Sequence, residues 1–589
     1  MIRRLGGLAA VVALLCVPGA ARGDLGGTQP GELSFPGFAD ADACVTCHGG
    51  GVAGDTTILP ADTWAGTMMA NAARDPVFFA ALTIANQDAP GVGTYCLRCH
   101  SPIGFVRGHA TPPDGSAFDA VDRQGIGCDT CHRALQSPAP NAPYYLGDAQ
   151  LVYGEDAIYA GPHADATSPA HATVADQGLD DPRFCGQCHQ VTNPGVDLRD
   201  GAGVDTGLAF PLDATFAEWE QSDLGDALSS NYRSCADCHL PRKMGMAPSS
   251  SVPGSPLRDG PRAHAATGGN HWGIEAVKAK NPERYAEFPA AFDLAQQRTL
   301  ETLASAVSVT VKDAPAMLSP GESFPITVRV TNLAGHKFPT GYAESRRAWI
   351  AVVVVDGDQN ERAILGGYDA ETGAIQASPP THVYRAEHGR WDGQKAQADE
   401  HLALHDVIVS DTRIPPAGFH PDATTMPSGE IDFTDGQGGY RSYDEVTFTV
   451  AAPADVMGEA TLEARVYYQS MTRDHVAFLK SANVTDSRGM ELAAIYEATG
   501  QAPPIAIAKA AAKVIFPGGS SSSSSGGAGG SGGAGGSTST SSSSASSSSG
   551  EPPSNGGCGC RTADEGPAGA AGTLTALALA ALSRRRRRG

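Results

Sequence analysis

The sequence predicts a mixed fold in which a helix- and loop-rich N-terminal region is followed by an antiparallel β-sandwich. Three observations lead to this prediction. One Cys/His motif recurs five times between residues 44 and 239, alternating apolar and polar runs begin near residue 306, and residues 518–550 contain only Gly, Ser, Ala and Thr. The predicted order is a signal peptide (1–23), the motif domain (24–300), the sandwich with a helical tail (301–517), a disordered Gly/Ser-rich linker (518–557) and a C-terminal anchor or sorting segment (558–589).

Composition limits the possible functions of this 589-residue chain. It has 64 Asp+Glu against 42 Lys+Arg, a formal net charge of -22. A nucleic-acid-binding protein needs a basic face, so this charge argues against that class. The acidic surface would instead favour a basic partner protein or keep the chain soluble.

The first 23 residues have the layout of a secretory signal. Arg3 and Arg4 precede the apolar stretch Leu5–Val17, and Ala21-Arg22-Gly23 offers a small-x-small cleavage site. The apolar stretch is too short for a transmembrane anchor, which is the alternative. The sequence therefore predicts an exported protein.

Ten of the 13 cysteines belong to five copies of C-x-x-C-H. The copies are Cys44–Cys47–His48, Cys96–Cys99–His100, Cys128–Cys131–His132, Cys185–Cys188–His189 and Cys235–Cys238–His239. In this motif the two thiols form thioethers with one haem, and the next residue supplies the proximal imidazole to the iron. Zinc sites, a disulfide framework or a redox pair would not place His after every second Cys. We therefore predict five covalently bound c-type haems.

Five haems within about 200 residues leave too little chain to enclose each one separately. They are expected to share walls, with short helices and loops between them. Neighbouring haems in such surroundings make an electron relay.

Beyond the motifs, residues 40–510 resemble the multihaem c-type cytochromes of the superfamily that includes hydroxylamine oxidoreductase and the nitrifiers' tetrahaem cytochrome. The segments that carry the resemblance are Trp64–Ala70, Cys96–Pro102, Gly161–His171, Arg262–His271 and Gly335–Gly341. Relatives have a distal His where this chain has Met69. No C-x-x-C-K motif occurs, so the resemblance to ammonia-forming nitrite reductases fails at the residue that would decide it.

The resemblance and the position of the remaining histidines suggest distal iron ligands. The candidates are Met69, His163, His171, His264, His271 and His336. A His/Met pair would raise the potential of one haem. The alternatives stay open at this stage: a core role for Met69, surface-loop positions for the histidines and a structural role in a turn for His336.

Five alternating, β-branched runs start at residues 306, 324, 348, 445 and 460, and turn residues separate them. They predict the sandwich, and residues 474–513 are expected to form its short helical tail, broken by Pro503 and Pro504. Arg346 and Arg347 could pair with haem propionates, with an ordinary surface pair as the alternative. His401 and His405 have a spacing that suits a metal only on a helix, and the strand-like residues that follow argue against one.

The C-terminus combines Cys558-Gly-Cys560, the uncharged stretch Gly566–Ser583 and five arginines. This order resembles the surface-sorting signals of myxobacteria, which implies processing near the cysteines and display on the cell surface. A weak transmembrane anchor is the alternative, and in either case the tail would associate the protein with a membrane.

Together these observations predict an exported cytochrome that relays electrons at the cell envelope or surface to a redox partner protein or an extracellular acceptor. The alternative is a haem oxidoreductase that acts on a small nitrogen or sulfur compound at an open-coordinated haem. An adhesion or scaffold module is a weaker third hypothesis.

Overall fold

The computed structural model describes residues 25–34, 37–50, 59–135, 146–176, 178–242 and 262–517. The predicted signal peptide, the Gly/Ser-rich linker and the C-terminal segment with its cysteines lie outside the described residues. Among the helices that the structure describes, none has the length and apolar character needed to cross a bilayer.

Most of the described helices lie between Ala41 and Ala306, and two more lie near the end of the described chain. Their bounds are α1 Ala41–His48, α2 Pro60–Trp64, α3 Pro76–Asp88, α4 Gly93–His100, α5 Pro102–Val106, α6 Cys128–His132, α7 Pro182–Gly186, α8 Thr215–Glu220, α9 Cys235–His239, α10 His271–Lys280, α11 Pro282–Glu287, α12 Pro289–Ala306, α13 Arg473–Ala482 and α14 Arg488–Ala498. Many of these helices are a single turn long and start at an N-terminal proline, whose fixed φ suits the first helical position.

The strands form four sheets. Their bounds are β1 Ile158–Gly161, β2 Ala172–Ala175, β3 Val191–Arg199, β4 Asp205–Asp213, β5 Val307–Lys312, β6 Ser323–Asn332, β7 Arg347–Val355, β8 Glu361–Leu365, β9 Val383–Tyr384, β10 Ala386–Trp391, β11 Ala396–Ala398, β12 Val407–Asp411, β13 Tyr443–Ala451, β14 Gly458–Gln469 and β15 Ile505–Phe516. The sheet orders are β1-β2, β11-β10-β12-β3-β4, β13-β6-β5 and β15-β14-β7-β8, with β9 beside β7.

The last two of these sheets enclose one apolar core. Side chains from β5, β6 and β13 meet side chains from β7, β14 and β15 in a single cluster, which includes Val328, Ile350 and Leu462, all fully buried. The strands pair antiparallel throughout both sheets. Each of the five runs predicted from the sequence forms a strand here. In β6 the buried positions alternate, as expected of a strand with one buried face, whereas β7 is buried on both faces from Ala348 to Val355.

The structure differs in three respects from the domain boundaries and the helical tail that the sequence predicts. The boundary at residue 300 falls inside α12, and the β3–β4 hairpin of the motif region joins the sheet that contains β10 and β12. The expected helical tail ends at Ala498, since Ile505–Phe516 is a strand paired along β14. Propensity could not show this, because the run Ala510-Ala511-Ala512 favours a helix and only the pairing with β14 holds it extended.

Candidate haem-binding site

The five motifs lie on short helices that end at or near the motif histidine. Helices α1, α4, α6 and α9 all finish on it, while α7 ends between the two cysteines of the fourth motif. Residues three apart share one face of a helix, so each pair of thiols points in a similar direction. The α9 start is fixed by a capping box between Ser234 and Asp237.

Hydrogen bonds orient the motif imidazoles. The Nδ1 atom of His132 lies 2.7 Å from the carbonyl oxygen of Ala160, and that of His239 lies 2.6 Å from the carbonyl oxygen of Thr267. An Nδ1–H that donates to a carbonyl leaves Nε2 with its lone pair, which is the usual arrangement of a metal-ligating histidine. The donor set therefore fits haem iron.

Three motif imidazoles each face a second imidazole from another part of the chain. The ring centroids are 6.4 Å apart for His48 and His171, 6.1 Å for His132 and His264, and 6.4 Å for His239 and His336. Two imidazoles bound on opposite sides of one metal ion, each with a metal–nitrogen bond of about 2.0 Å, would have centroids roughly 6.3 Å apart. The observed spacings match this value.

The second imidazoles are held in the same manner as the motif imidazoles. Their Nδ1 atoms lie 3.1 Å from the carbonyl oxygen of Arg262 for His264, 3.1 Å from that of Lys337 for His336, and 3.3 Å from that of Ala172 for His171. Burial lowers the pKa of His264 to about 4, and it also lowers the pKa of His336, His132 and His239. These rings are therefore neutral at physiological pH, as ligation requires.

The second and fourth motifs differ from the other three. The His100 ring stacks on Phe78 at 3.5 Å between centroids, and burial lowers the pKa of His100 to about 4. The His189 side chain is 54% exposed, with its Nδ1 atom 4.0 Å from Asp213. Within the described ranges, no non-motif histidine makes a ring contact with either residue.

Two of the predicted distal ligands, His163 and His271, make no ring contact with a motif histidine within the part of the chain that the structure describes. The Nε2 atom of His271 contacts the Gln296 amide at 2.5 Å, at the start of α10. His163 lies in the loop after β1, where its carbonyl accepts a hydrogen bond from Ala166. The Met69 carbonyl accepts hydrogen bonds from the backbone N–H groups of Ala72 and Ile126.

Thiols from different motifs lie side by side. Cys44 of the first motif lies beside Cys128 of the third, and Cys99 of the second lies beside Cys188 of the fourth. Cys185 of the fourth lies beside Cys235 of the fifth and acts electrostatically on Cys131 of the third. The attachment positions therefore form one connected network, and the fourth motif is its branch point. The order of the motifs along the chain does not predict which motifs are neighbours in space, since the first motif adjoins the third and not the second.

The two arginines considered for propionate binding have protein partners. Arg347 donates to the Gln469 side chain at 2.9 Å and to the Gly373 carbonyl at 2.7 Å. Arg346 donates to the Thr340 carbonyl at 2.6 Å. These three hydrogen bonds lie within the sandwich and the turn that precedes β7.

No family model matches the sequence, and no curated protein matches it. Among solved structures, the chain is similar to a penta-heme cytochrome c552 from Thermochromatium tepidum, with 14% sequence identity, 80% of this chain and 99% of that chain covered, and a TM-score of 0.44. It is also similar to the sporulation control protein Spo0M from Bacillus subtilis, with 10% identity, coverage of 36% and 50%, and a TM-score of 0.12. Neither TM-score is high enough to establish a shared fold, and the case for haem depends on the motifs and on the paired imidazoles.

Proposed function

We propose that this protein is an exported multihaem c-type cytochrome that binds five covalent haems and relays electrons at the cell envelope or surface. The observation that carries the proposal is the placement of a second imidazole 6.1–6.4 Å from three of the five motif histidines. Bound haem iron supplies one-electron redox chemistry.

The protein's own residues have separable tasks in this function. The ten motif cysteines fix the porphyrins, and His48, His100, His132, His189 and His239 serve as proximal ligands. His171, His264 and His336 would supply a second imidazole to the first, third and fifth haems. The carbonyl oxygens of Ala160 and Thr267 hold two of the proximal rings in the tautomer that leaves Nε2 available.

The adjoining thiols support a relay rather than five isolated centres. Contacts between the first and third, second and fourth, and fourth and fifth motifs would bring their porphyrins close together. Burial raises the pKa of Cys96 and Cys131 to about 12, and both residues are partly shielded from solvent.

The number of haems is tested by intact mass and absorbance of the purified mature protein. We expect a mass equal to the polypeptide plus five porphyrins and an intense Soret band. A mass equal to the bare polypeptide would refute the proposal. The same measurement locates the mature N-terminus and shows whether the signal peptide and the C-terminal segment have been removed.

The distal-ligand assignment is tested by His264→Met, with His382→Met as the control. Replacing imidazole by a thioether should raise one midpoint potential by on the order of 0.1 V, within the ~0.8 V range that axial ligands set. His382 hydrogen-bonds to Asp444 in the sandwich, so its replacement should leave all potentials unchanged. A redox titration in which both variants match the wild type would remove His264 from the ligand set.

A second function is supported by the fourth motif. His189 is half exposed, and no non-motif histidine within the described residues makes a ring contact with it, so its haem is the best candidate for an open coordination position. A haem of that kind could act on a small nitrogen or sulfur compound. A high-spin signal in the oxidised protein would support this function, and only low-spin, six-coordinate haem would exclude it.

The proposed partner is a basic redox protein, or else an extracellular acceptor. A net charge of -22 should accelerate encounter with a cationic protein at low ionic strength. Electron transfer to a small basic redox protein should therefore slow as salt is added, while transfer to a neutral small-molecule acceptor should not.

A further inference from the structure

A separate cluster of possible metal ligands lies outside the haem motifs. It consists of Glu344 in the loop before β7, His388 in β10, and His405 after the short 3-10 helix Leu402–Leu404. Their ligand atoms all lie within 4.8 Å of one another. The three side chains are 2%, 7% and 0% exposed, so the cluster is an internal feature that joins three segments distant in sequence.

The distances suit coordination to one ion. Glu344 Oε1 lies 3.0 Å from His388 Nδ1 and 3.6 Å from His405 Nδ1. In a tetrahedral zinc site with bonds of about 2.0–2.1 Å, two ligand atoms lie about 3.3 Å apart. The longer of the two contacts exceeds the range of an N–H···O hydrogen bond.

Two buried atoms in the cluster have no hydrogen-bond partner. They are His405 Nδ1 and Glu344 Oε2. On its other side, His405 Nε2 lies 3.1 Å from both the carbonyl oxygen and Oδ1 of Asp399, which fixes the ring proton on Nε2. The lone pair on His405 Nδ1 therefore lies 3.6 Å from the carboxylate atom Glu344 Oε1. A cation bound by this nitrogen and by the Glu344 carboxylate would give Nδ1 the partner that it lacks.

The surroundings orient the ligands and give access to them. The Phe210 ring packs edge-on against His388 and His405, with centroids 5.2 and 6.0 Å away. Asp399, which accepts the hydrogen bond from His405 Nε2, is itself held by Arg390. A small pocket lined by His388, Gly341 and Ala343 lies beside the cluster. Such outer contacts are typical of ligating histidines, and the pocket offers an entry route.

We propose that Glu344, His388 and His405 bind one divalent transition-metal ion, with zinc as the first expectation. Two imidazoles and one carboxylate are a donor set that zinc uses, and three protein ligands leave a fourth position for water or a small ligand from the pocket. The site would connect the loop before β7 to β10 and to the start of β12. It does not depend on the haem assignment.

The test uses the purified full chain with its haems, treated with chelator, reloaded with Zn²⁺ and dialysed. Elemental analysis should find one zinc per chain, and the variants His405→Gln, His388→Gln and Glu344→Gln should each retain at least tenfold less. His401→Gln is the matched control, because His401 lies four residues from His405 but pairs with Asp88. It should retain the full equivalent.

A second measurement uses the wild-type protein, so that a loss of zinc through misfolding of a variant cannot be mistaken for loss of a ligand. Diffraction data collected above and below the zinc absorption edge should show an anomalous peak between the three side chains, separate from the iron peaks. No retained zinc in the wild type, zinc bound at other residues, or equal zinc in the His405→Gln variant would each overturn the site and leave a hydrogen-bonded Glu–His cluster.

Discussion

The motif region and the sandwich differ in the groups that fill their interiors. The sandwich core is one large cluster of apolar side chains contributed by both sheets. In the motif region the apolar clusters are smaller, and all ten motif cysteines are only partly buried. The sandwich therefore forms its core from its own side chains, whereas under the proposed function haems would complete the interior of the motif region. We therefore expect substitutions in the two regions to differ in their effects on haem attachment and on the free energy of unfolding.

An ionic cluster joins the two regions. Glu218 in α8 lies 2.9 Å from Arg413, which also pairs with Asp411 at 2.6 Å. Asp411 lies 2.6 Å from the fully buried Lys337, just after His336. Burial lowers the pKa of Lys337, so this ammonium group depends on Asp411 to remain charged. The loop that presents His336 to the fifth motif is thus fixed by a buried ion pair.

The largest effect should follow removal of one haem attachment. In Cys128→Ala/Cys131→Ala, intact mass should fall by one porphyrin, and the region should loosen because Cys128 adjoins Cys44 of the first motif. Limited proteolysis should then cut within residues 41–271 and leave residues 307–516 protected. If both regions of this variant resisted the protease equally, the motif region would not depend on its haems for stability, contrary to our expectation.

The next largest effect should come from the junction. Asp411→Asn leaves Lys337 buried without its partner and should cost about 3–5 kcal/mol of unfolding free energy. Asp455→Asn is the control, since Asp455 is 61% exposed and its ion pair with Arg362 should contribute about 0–1 kcal/mol. Denaturant titration checks both variants, and similar losses would show that burial does not matter here.

A smaller loss is expected inside the sandwich. Ile350→Ala in β7 removes a fully buried side chain and should cost about 2–5 kcal/mol, while all five haems stay attached. Ile515→Ala in β15, where the side chain is 45% exposed, should change stability by about 0.5 kcal/mol or less. Loss of haem from the Ile350→Ala protein would mean that the two interiors are not independent.

The smallest effect is a pH dependence at the junction. Although burial opposes it, the charges of Arg413 and Lys337 hold the pKa of Asp411 well below its usual value. The unfolded chain therefore binds this proton more readily, and the contribution is present above about pH 3.9 and lost as the pH falls below it, at up to about 1.4 kcal/mol per pH unit. The Asp411→Asn protein should show a shallower acid slope than the wild type.

The sequence predicted much of the local structure in both regions. The strands β5, β6, β7, β13 and β14 follow from their β-branched runs, which alternate in β6 and are continuously apolar in β7, and the haem prediction follows from five identical spacings. It missed β15, whose alanine-rich composition favours a helix and whose strand conformation depends on pairing with β14. It also found no sign of the Glu344–His388–His405 cluster, because only His405 belonged to a recognisable spacing and its neighbours in space come from 17 and 61 residues away.

What the sequence determined by itself is the chemistry at fixed short range: which residues can hold a porphyrin, and which stretches alternate. Tertiary structure alone decided which histidines face the motifs, which motifs are neighbours, and that His163 and His271 make no ring contact with a motif histidine within the described residues. The physical reason is that a thioether pair and its proximal imidazole fit within one helical turn, whereas a distal ligand must come from any segment that folding brings within about 6 Å of the first ring, as His336 does for His239 across the junction.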